Sequence, residues 1–394
     1  MTANHTAGAT AQAAVSLPGG GCEVRTFDLR PHGEDDGWLR VEASGICGTD
    51  VALRSAGLTG PTVLGHHVHG RIAASGDTAA RRWGAAPGDR VVIEEYLPCG
   101  ACERCAAGRY RLCPRTDLWS GGRRVGLVPV GEPPSLWGGN AQYVYLPPES
   151  VVHTLPEHLP DPLAAWVLPL ANALDWVLGA GELASGGTLV VLGPGYHGLA
   201  AVAAARQAGA GTVVVAGLPQ DRARLDIAAS MGADTAVTFD GNPTELHEHV
   251  TRRTGGRMAD VVLDLTGVRP HGLTPSLGLL TQGGRLILPG GAGRTDAAVD
   301  IGELTRLTAV VRGVRGRSPQ RVAQSIEVLA KGDCGLEKVP TVEVTLEAVG
   351  TMLDRLAEGS GPATPHVVVR PWGVSNSPEG PADPALKVAR RDGR

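Results

Sequence analysis

The sequence predicts an α/β chain with two architectures, an irregular β-rich domain and a doubly wound parallel sheet. Three observations carry this. The first 155 or so residues are rich in Gly and Pro and hold only short apolar runs, WLRVEASG, GRIAASG, DRVVIEEY and AQYVYL, the texture of a β domain broken by turns. From about residue 160, buried-strand runs (TLVVL, TVVVAG, ADVVLDLTG, GRLILPGG) alternate with helical segments, which means parallel strands joined by crossover helices. The first of those strands runs into GPGYHG at 193–198 and then an Ala-rich helix.

Bulk properties narrow the function classes. At about 150 residues per domain, 394 residues make two to three domains, and 42% hydrophobic content fills their cores. A net charge of −4 with no basic block excludes nucleic acid and anionic membrane as partners. Only three of the 36 basic residues are lysines, Lys331, Lys338 and Lys387, a GC-rich codon bias without mechanistic content. No run reaches the roughly 18 apolar residues that span a bilayer. The start, MTANHTAGATAQAAVS, lacks the charged region and apolar core of a secretory signal. Residues 1–20 and 375–394 read as a disordered extension and a disordered tail. Four of the seven cysteines fall within fifteen residues, which suits a metal knuckle in a reducing cytoplasm better than a disulfide framework.

Taken in chain order, residues 21–160 form the β-rich domain and 161–318 the parallel-sheet domain. The latter opens with LAAWVLPLANALDWVLGAG, a helix that Pro169 is expected to interrupt. The helix SPQRVAQSIEVLAKG and the strand HVVVRPW then return the chain, over 319–374, to the β-rich domain.

Residues 99–113 read CGACERCAAGRYRLC, that is C-x2-C-x2-C-x7-C. Cys99, Cys102, Cys105 and Cys113 can close a tetrahedral zinc shell, and four protein ligands leave no open position, so the site is structural. Gly100 and Gly108 ease the turns. An iron–sulfur cluster is disfavoured because no Cys-Pro follows at the ferredoxin spacing.

GPGYHG follows a strand and opens a helix, the context that makes G-x-G-x-x-G a dinucleotide signal. Gly193 permits the turn, Gly195 lets backbone approach a pyrophosphate, and Gly198 lets helix and strand pack closely. An NAD-type site ends its second strand with an acid that binds the ribose 2′-hydroxyl. Here that place is Gly217, with Arg222 and Arg224 nearby, which favours NADP(H). Asp221 as a substitute acid, or Arg222 stacked on adenine, keeps NAD(H) open.

Together GICGTD at 45–50, GH at 65–66, the four-cysteine loop, GPGYHG and GVRGRSP at 313–319 resemble the zinc-dependent medium-chain alcohol dehydrogenases. VLPLAN at 167–172 is similar to the polyol and threonine dehydrogenase branch, and the likeness covers residues 22–372. It implies a GroES-like β-rich catalytic domain in two chain segments flanking a Rossmann domain, an active site in the cleft, and a homodimer or homotetramer. In that family the Cys of GICG, the His of GHE and an acid or Cys at the start of the long helix hold a catalytic zinc, and a neighbouring Ser or Thr relays the alcohol proton. Carried over, these are Cys47, His66 and Thr49. The chain departs from the pattern at His67 (for Glu), at Leu168 (where the third ligand belongs) and at Ala52 (for a relay His), and the loop from Cys47 to His66 is short.

Two readings of the site follow. Cys47, His66 and His67 can form a one-thiolate, two-imidazole shell with an open fourth position. Alternatively the catalytic zinc is lost, and the chain reduces a C=N or C=C bond. If GHHVHG enters a strand, His67 and His69 share a face and His66 does not, and His69 reads as a hydrogen-bonded core group. His197 and His153 read as surface residues; Trp119, Trp137, Trp166 and Trp176 either face a bulky substrate or fill cores. The expected activity is NAD(P)(H)-dependent interconversion of a small polar alcohol and its ketone or aldehyde, in a specialised biosynthetic pathway. A cofactor-binding protein without catalysis is the reading different in kind.

Overall fold

The computed structural model describes residues 9–240, 242–266, 272–290 and 297–373. The described residues divide into two compact units. One takes the chain up to Ala165, Val342–Gly361 and the segment from Val367; the other takes Trp166–Thr341 with Pro362–His366.

Strands of the first unit are β1 (Thr10–Ser16), β2 (Cys22–Asp28), β3 (Gly37–Gly45), β4 (Thr62–Val63), β5 (His67–Ser75), β6 (Arg90–Ile93), β7 (Tyr143–Leu146) and β8 (Val152–Thr154). Among the described residues they make a three-stranded sheet, β2-β1-β4, and the body of a seven-stranded one. Leu39 and Val41 of β3, Val68 and Ile72 of β5 and Val91 and Ile93 of β6 are buried in one core. The antiparallel register sets Gly45, the last residue of β3, opposite His67, the first of β5. The residues just past β3 and just before β5 therefore emerge at the same end of one ladder.

The second unit carries β9 (Thr188–Leu192), β10 (Thr212–Gly217), β11 (Thr235–Thr238), β12 (Ala259–Asp264), β13 (Leu280–Pro289) and β14 (Val310–Val314). They form a parallel sheet in the order β11-β10-β9-β12-β13-β14 among the described residues. The order reverses direction between β9 and β12, the switch point outside which such sheets bind ligands. β15 (Val342–Val344) and β16 (Val367–Val369) pair with each other, and β16 pairs with β3, which completes the seven-stranded sheet of the first unit.

Three expectations need correction. Residues 1–20 are not a disordered extension throughout. Thr10–Ser16 is a strand paired with β2 along its whole length, because Ala11, Ala13 and Val15 alternate inward and are fully buried. Residues 1–8 and the tail 375–394 lie outside the described residues. The segment 319–341 belongs to the second unit rather than the first, since the helix Pro319–Lys331 packs on the helix Val167–Leu174 and Ser325 Oγ donates to the Val167 carbonyl at 2.8 Å. Pro169 does not interrupt Val167–Leu174. It is the third residue of that helix, where its missing N–H has no intrahelical partner to lose.

Candidate active site

Cys47 caps the helix Gly48–Ala56, and Asp50, three residues on, reaches back to it. The Cys47 N–H donates to Asp50 Oδ2 at 2.8 Å, the reciprocal half of a capping box. The Gly65 N–H donates to Oδ1 at 3.2 Å, and His66 Nδ1 lies 3.1 Å from the same oxygen. One carboxylate, 1% exposed, thus ties together both segments that leave the β3–β5 ladder. Gly65 makes the turn possible. Its φ is +95°, and a Cβ there would stand 2.5 Å from Ser44 Oγ and 2.6 Å from Asn140 Oδ1.

With Nδ1 of His66 beside Asp50, Nε2 is the ring nitrogen left free of that contact. The ligand atoms of Cys47, His66 and His67 all lie within 4.8 Å of one another. A tetrahedral zinc with ligand distances of about 2.0–2.3 Å spans ligand pairs of roughly 3.3–3.8 Å, so the three atoms are in range of a single ion. The two imidazoles meet edge to face, centroids 4.5 Å apart. Burial pushes the His66 imidazole down, but the charge and hydrogen bond of Asp50, with a further contribution from Cys47, outweigh it and hold His66 well above its ordinary value. The field at this cluster favours a cation. Thr49 Oγ1 lies 3.8 Å from Cys47 Sγ and is partly open to solvent. Ala52 lies in the same helix as Thr49, while Leu168 is buried in the helix Val167–Leu174 of the second unit and has no ligand atom to offer.

His67 and His69 both lie in β5, as the pattern predicts, yet they join different groups. His69 is fully buried beside Asp161, 3.9 Å away, and Glu42. Those carboxylates already hold guanidinium cations: Arg90 binds both, Arg71 lies 3.1 Å from Glu42, and Arg370 lies 3.0 Å from Asp161. This is an ion-pair network joining β3, β5 and β6 to the segment after β16.

The four cysteines of the 99–113 loop also converge. Their sulfurs lie within 4.8 Å of one another, with Cys102 to Cys105 at 3.5 Å and Cys99 to Cys105 at 3.9 Å. Backbone N–H groups of Ala101 and Cys102 pull the Cys99 thiol down to about 6, whereas burial and the neighbouring thiols push Cys105 up to about 12. A bound cation would offset the mutual repulsion of four thiolates gathered this closely. His153 is half-buried rather than a surface residue: its Nε2 lies 2.9 Å from the buried carboxylate of Glu94, which also binds Tyr110 of the cysteine loop.

In the second unit Gly193 follows β9 with φ +101°, and a Cβ on Gly198 would stand 2.1 Å from the Gly193 carbonyl oxygen. A Cβ on Gly195 would meet open space, as a phosphate cradle at the start of the helix Tyr196–Gln207 requires. Gly217 ends β10; Arg222, 74% exposed, lies 3.2 Å from Asp226 of its own helix. His197 is not a free surface group: Asn172 Nδ2 lies 3.2 Å from its Nε2, and the Trp176 ring is 5.1 Å away. Asn172 Oδ1 in turn accepts from the fully buried Arg317 at 3.3 Å. Trp166 and Trp176 are buried in this unit and Trp137 in the core of the first; Trp119 is exposed.

Sequence reasoning missed Asp50, Asn172 and Arg317. Asp50 had a readable signal, an acid three positions after the residue that caps a helix. Asn172 and Arg317 are 145 positions apart, and no local spacing points from one to the other.

The chain matches two protein families, one described as alcohol dehydrogenase GroES-like domain over residues 33–157, the other as zinc-binding dehydrogenase over 198–331. It is 36% identical over 356 residues to a probable alcohol dehydrogenase of Mycobacterium tuberculosis, covering 88% of this chain and 95% of that one. It is 31% identical over 318 residues to an L-threonine 3-dehydrogenase of Streptomyces coelicolor, covering 79% and 84%. A solved alcohol dehydrogenase of Thermotoga maritima superposes with a TM-score of 0.80 at 25% identity, covering 92% of this chain and all (100%) of that one. A zinc-binding dehydrogenase of Sinorhizobium meliloti, solved bound to NADP, superposes with a TM-score of 0.77 at 25% identity, covering 92% and 100%.

Proposed function

The chain belongs to the zinc-dependent medium-chain alcohol dehydrogenase family, and from that premise we propose that it interconverts a small polar alcohol and its ketone or aldehyde with NADP(H), at a zinc held by Cys47, His66 and His67. That it is an NAD(P)-dependent alcohol dehydrogenase follows from the family. The observation that carries the metal assignment is the convergence of those three side chains.

A bound zinc would supply Lewis-acid polarisation of the substrate's C–O group, and a bound nicotinamide the hydride donor or acceptor. The chain's own residues do the rest. Cys47, His66 and His67 fix the place of the metal, and Asp50 orients His66 through Nδ1. Thr49, next to Cys47 and partly open to solvent, passes the hydroxyl proton outward. Cys99, Cys102, Cys105 and Cys113 hold a second, structural zinc. Gly193, Gly195 and Gly198 receive the pyrophosphate, and the bare Gly217 with Arg222 nearby receives a 2′-phosphate.

The protein acts as a homo-oligomer in this reading. Among the described residues β14 is an edge strand of its sheet, with Val310 39% exposed, an edge that a second copy could cover. No helix among the described residues is long and apolar enough to cross a membrane. None of the seven cysteines is joined in a disulfide, which supports a reducing cytoplasm. The choice of a polar alcohol is supported by relatives named for such substrates, among them a sorbitol dehydrogenase of Bacillus subtilis, 28% identical over 357 residues. Leu168 favours one other reading, zinc-free reduction of a C=N or C=C bond.

The test is a substrate panel of diols, polyols, hydroxyketones, cyclic imines and enones, each with both nicotinamide cofactors. Turnover confined to alcohols and ketones, at least about tenfold better with the 2′-phosphorylated cofactor, is the expected result. Turnover confined to imines or enones would transfer the assignment to the zinc-free reading. Asp50→Asn is expected to lower zinc affinity by about 10- to 100-fold, measured by competition with a chromophoric chelator. An unchanged affinity would separate Asp50 from the metal.

A further inference from the structure

The residue that would select between cofactors stands at 217, and the structure gives a reason why it is glycine that does not depend on the ribose. Gly217 has no need of a left-handed backbone; it is confined. A Cβ there would stand 2.9 Å from Pro194 Cδ, 2.9 Å from Pro194 Cγ and 3.0 Å from Asp221 Cβ. Asp221 lies in a surface turn and can give by a few tenths of an ångström. Pro194 cannot. It is buried, it sits between Gly193 and Gly195 in the phosphate turn, and its ring is locked to the backbone. The closing atoms are Cγ and Cδ, the part of the ring that alanine lacks.

We infer that Pro194 is a positioning residue for nucleotide selection, acting through 217: its ring closes that position to a side chain and so keeps the 2′ position free of a discriminating acid. The inference rests on the reading that the bound cofactor is NADP(H). Asp221 does not substitute for the missing acid, because it is already engaged. Its Oδ2 accepts from the Leu218 N–H at 3.1 Å, capping the turn Pro219–Asp221, and its Oδ1 lies 3.5 Å from Arg224. Arg222 is a nearby cation with little to give up, since its partner among the described residues is a solvent-exposed Asp226. The phosphate turn and the cofactor-selecting position are therefore one steric unit. Evolution or engineering cannot introduce an acid at 217 without first changing 194.

The test is a pair of substitutions, alone and together, read by calorimetric titration with adenosine 2′,5′-bisphosphate, adenosine 5′-monophosphate, NADPH and NADH, and by thermal melting. Wild type should bind the 2′-phosphorylated ligands at least about tenfold more tightly. Gly217→Asp alone should lose about tenfold or more in affinity for both classes and melt earlier. Pro194→Ala should keep the wild-type preference. The pair Pro194→Ala with Gly217→Asp should recover NADH binding and reverse the preference. Gly217→Asp alone binding NADH as tightly as the pair would overturn the inference. Should Gly217→Asp fail to fold, Gly217→Ala with and without Pro194→Ala decides the matter by melting temperature, and a pair no more stable than the single Gly217→Ala protein overturns it. A wild-type preference for NADH would refute the NADP(H) reading alone, since the coupling between 194 and 217 is read in either ligand.

Discussion

Cys47→Ser is expected to carry one zinc per chain where the parent protein carries two, and to lose turnover by about a thousandfold. A serine hydroxyl does not ionise near neutrality, so the change removes the anionic ligand of the proposed catalytic set and leaves two neutral imidazoles. Lewis-acid polarisation is worth several kcal/mol of barrier, and at about 1.4 kcal/mol per decade its loss reaches three orders of magnitude. Metal counting by plasma mass spectrometry, with steady-state rates on the same samples, reads both consequences. His67→Leu should reproduce the loss of metal, since His67 is the third of the proposed ligands. One zinc in a fully active parent protein would remove the catalytic metal from the scheme and leave the cysteine loop as the remaining zinc site.

Thr49→Ala should lower kcat by about 10²- to 10⁴-fold, the range of a general acid–base contribution, while both zincs stay bound. The position of Thr49 makes that separation meaningful. Its hydroxyl approaches Cys47 Sγ at 3.8 Å, but the buried carboxylate that organises Cys47, Gly65 and His66 is Asp50, not Thr49. Thr49→Ser keeps the hydroxyl and should recover most of the rate. A rate unchanged in Thr49→Ala would place the proton path elsewhere.

Both zinc-type clusters were visible in the sequence to different degrees, and the reason is distance along the chain. The cysteine loop gathers its four sulfurs within fifteen residues, so spacing alone describes the shell. The phosphate turn was legible for the same reason, and Gly193 and Gly198 have the left-handed φ and the close approach that their places in the motif demand. Cys47 and His66 could be matched by resemblance, but that His67 joins them whereas His69 does not depends on β3–β5 pairing and on Arg90 and Arg370 filling the neighbouring carboxylates. Period-two alternation groups His67 with His69 and carries no information about that division. The strand Thr10–Ser16 was missed because alanine-rich sequence has weak β preference, and here its order comes from partners on two sides, β2 and β4. The helix Pro319–Lys331 went to the wrong unit because its packing partner, Val167–Leu174, lies about 150 residues upstream, beyond the reach of any local pattern.

The pairing of Gly45 with His67 has a consequence for how such a site changes over time. Residue 67 is the first rung of a hydrogen-bonded ladder, so the main-chain bonds of β5 set where its side chain departs, whatever that side chain is. Glutamate, histidine or cysteine at this rung inherits the same address. Side-chain chemistry at residue 67 can drift by single codons while the ladder that aims it stays still.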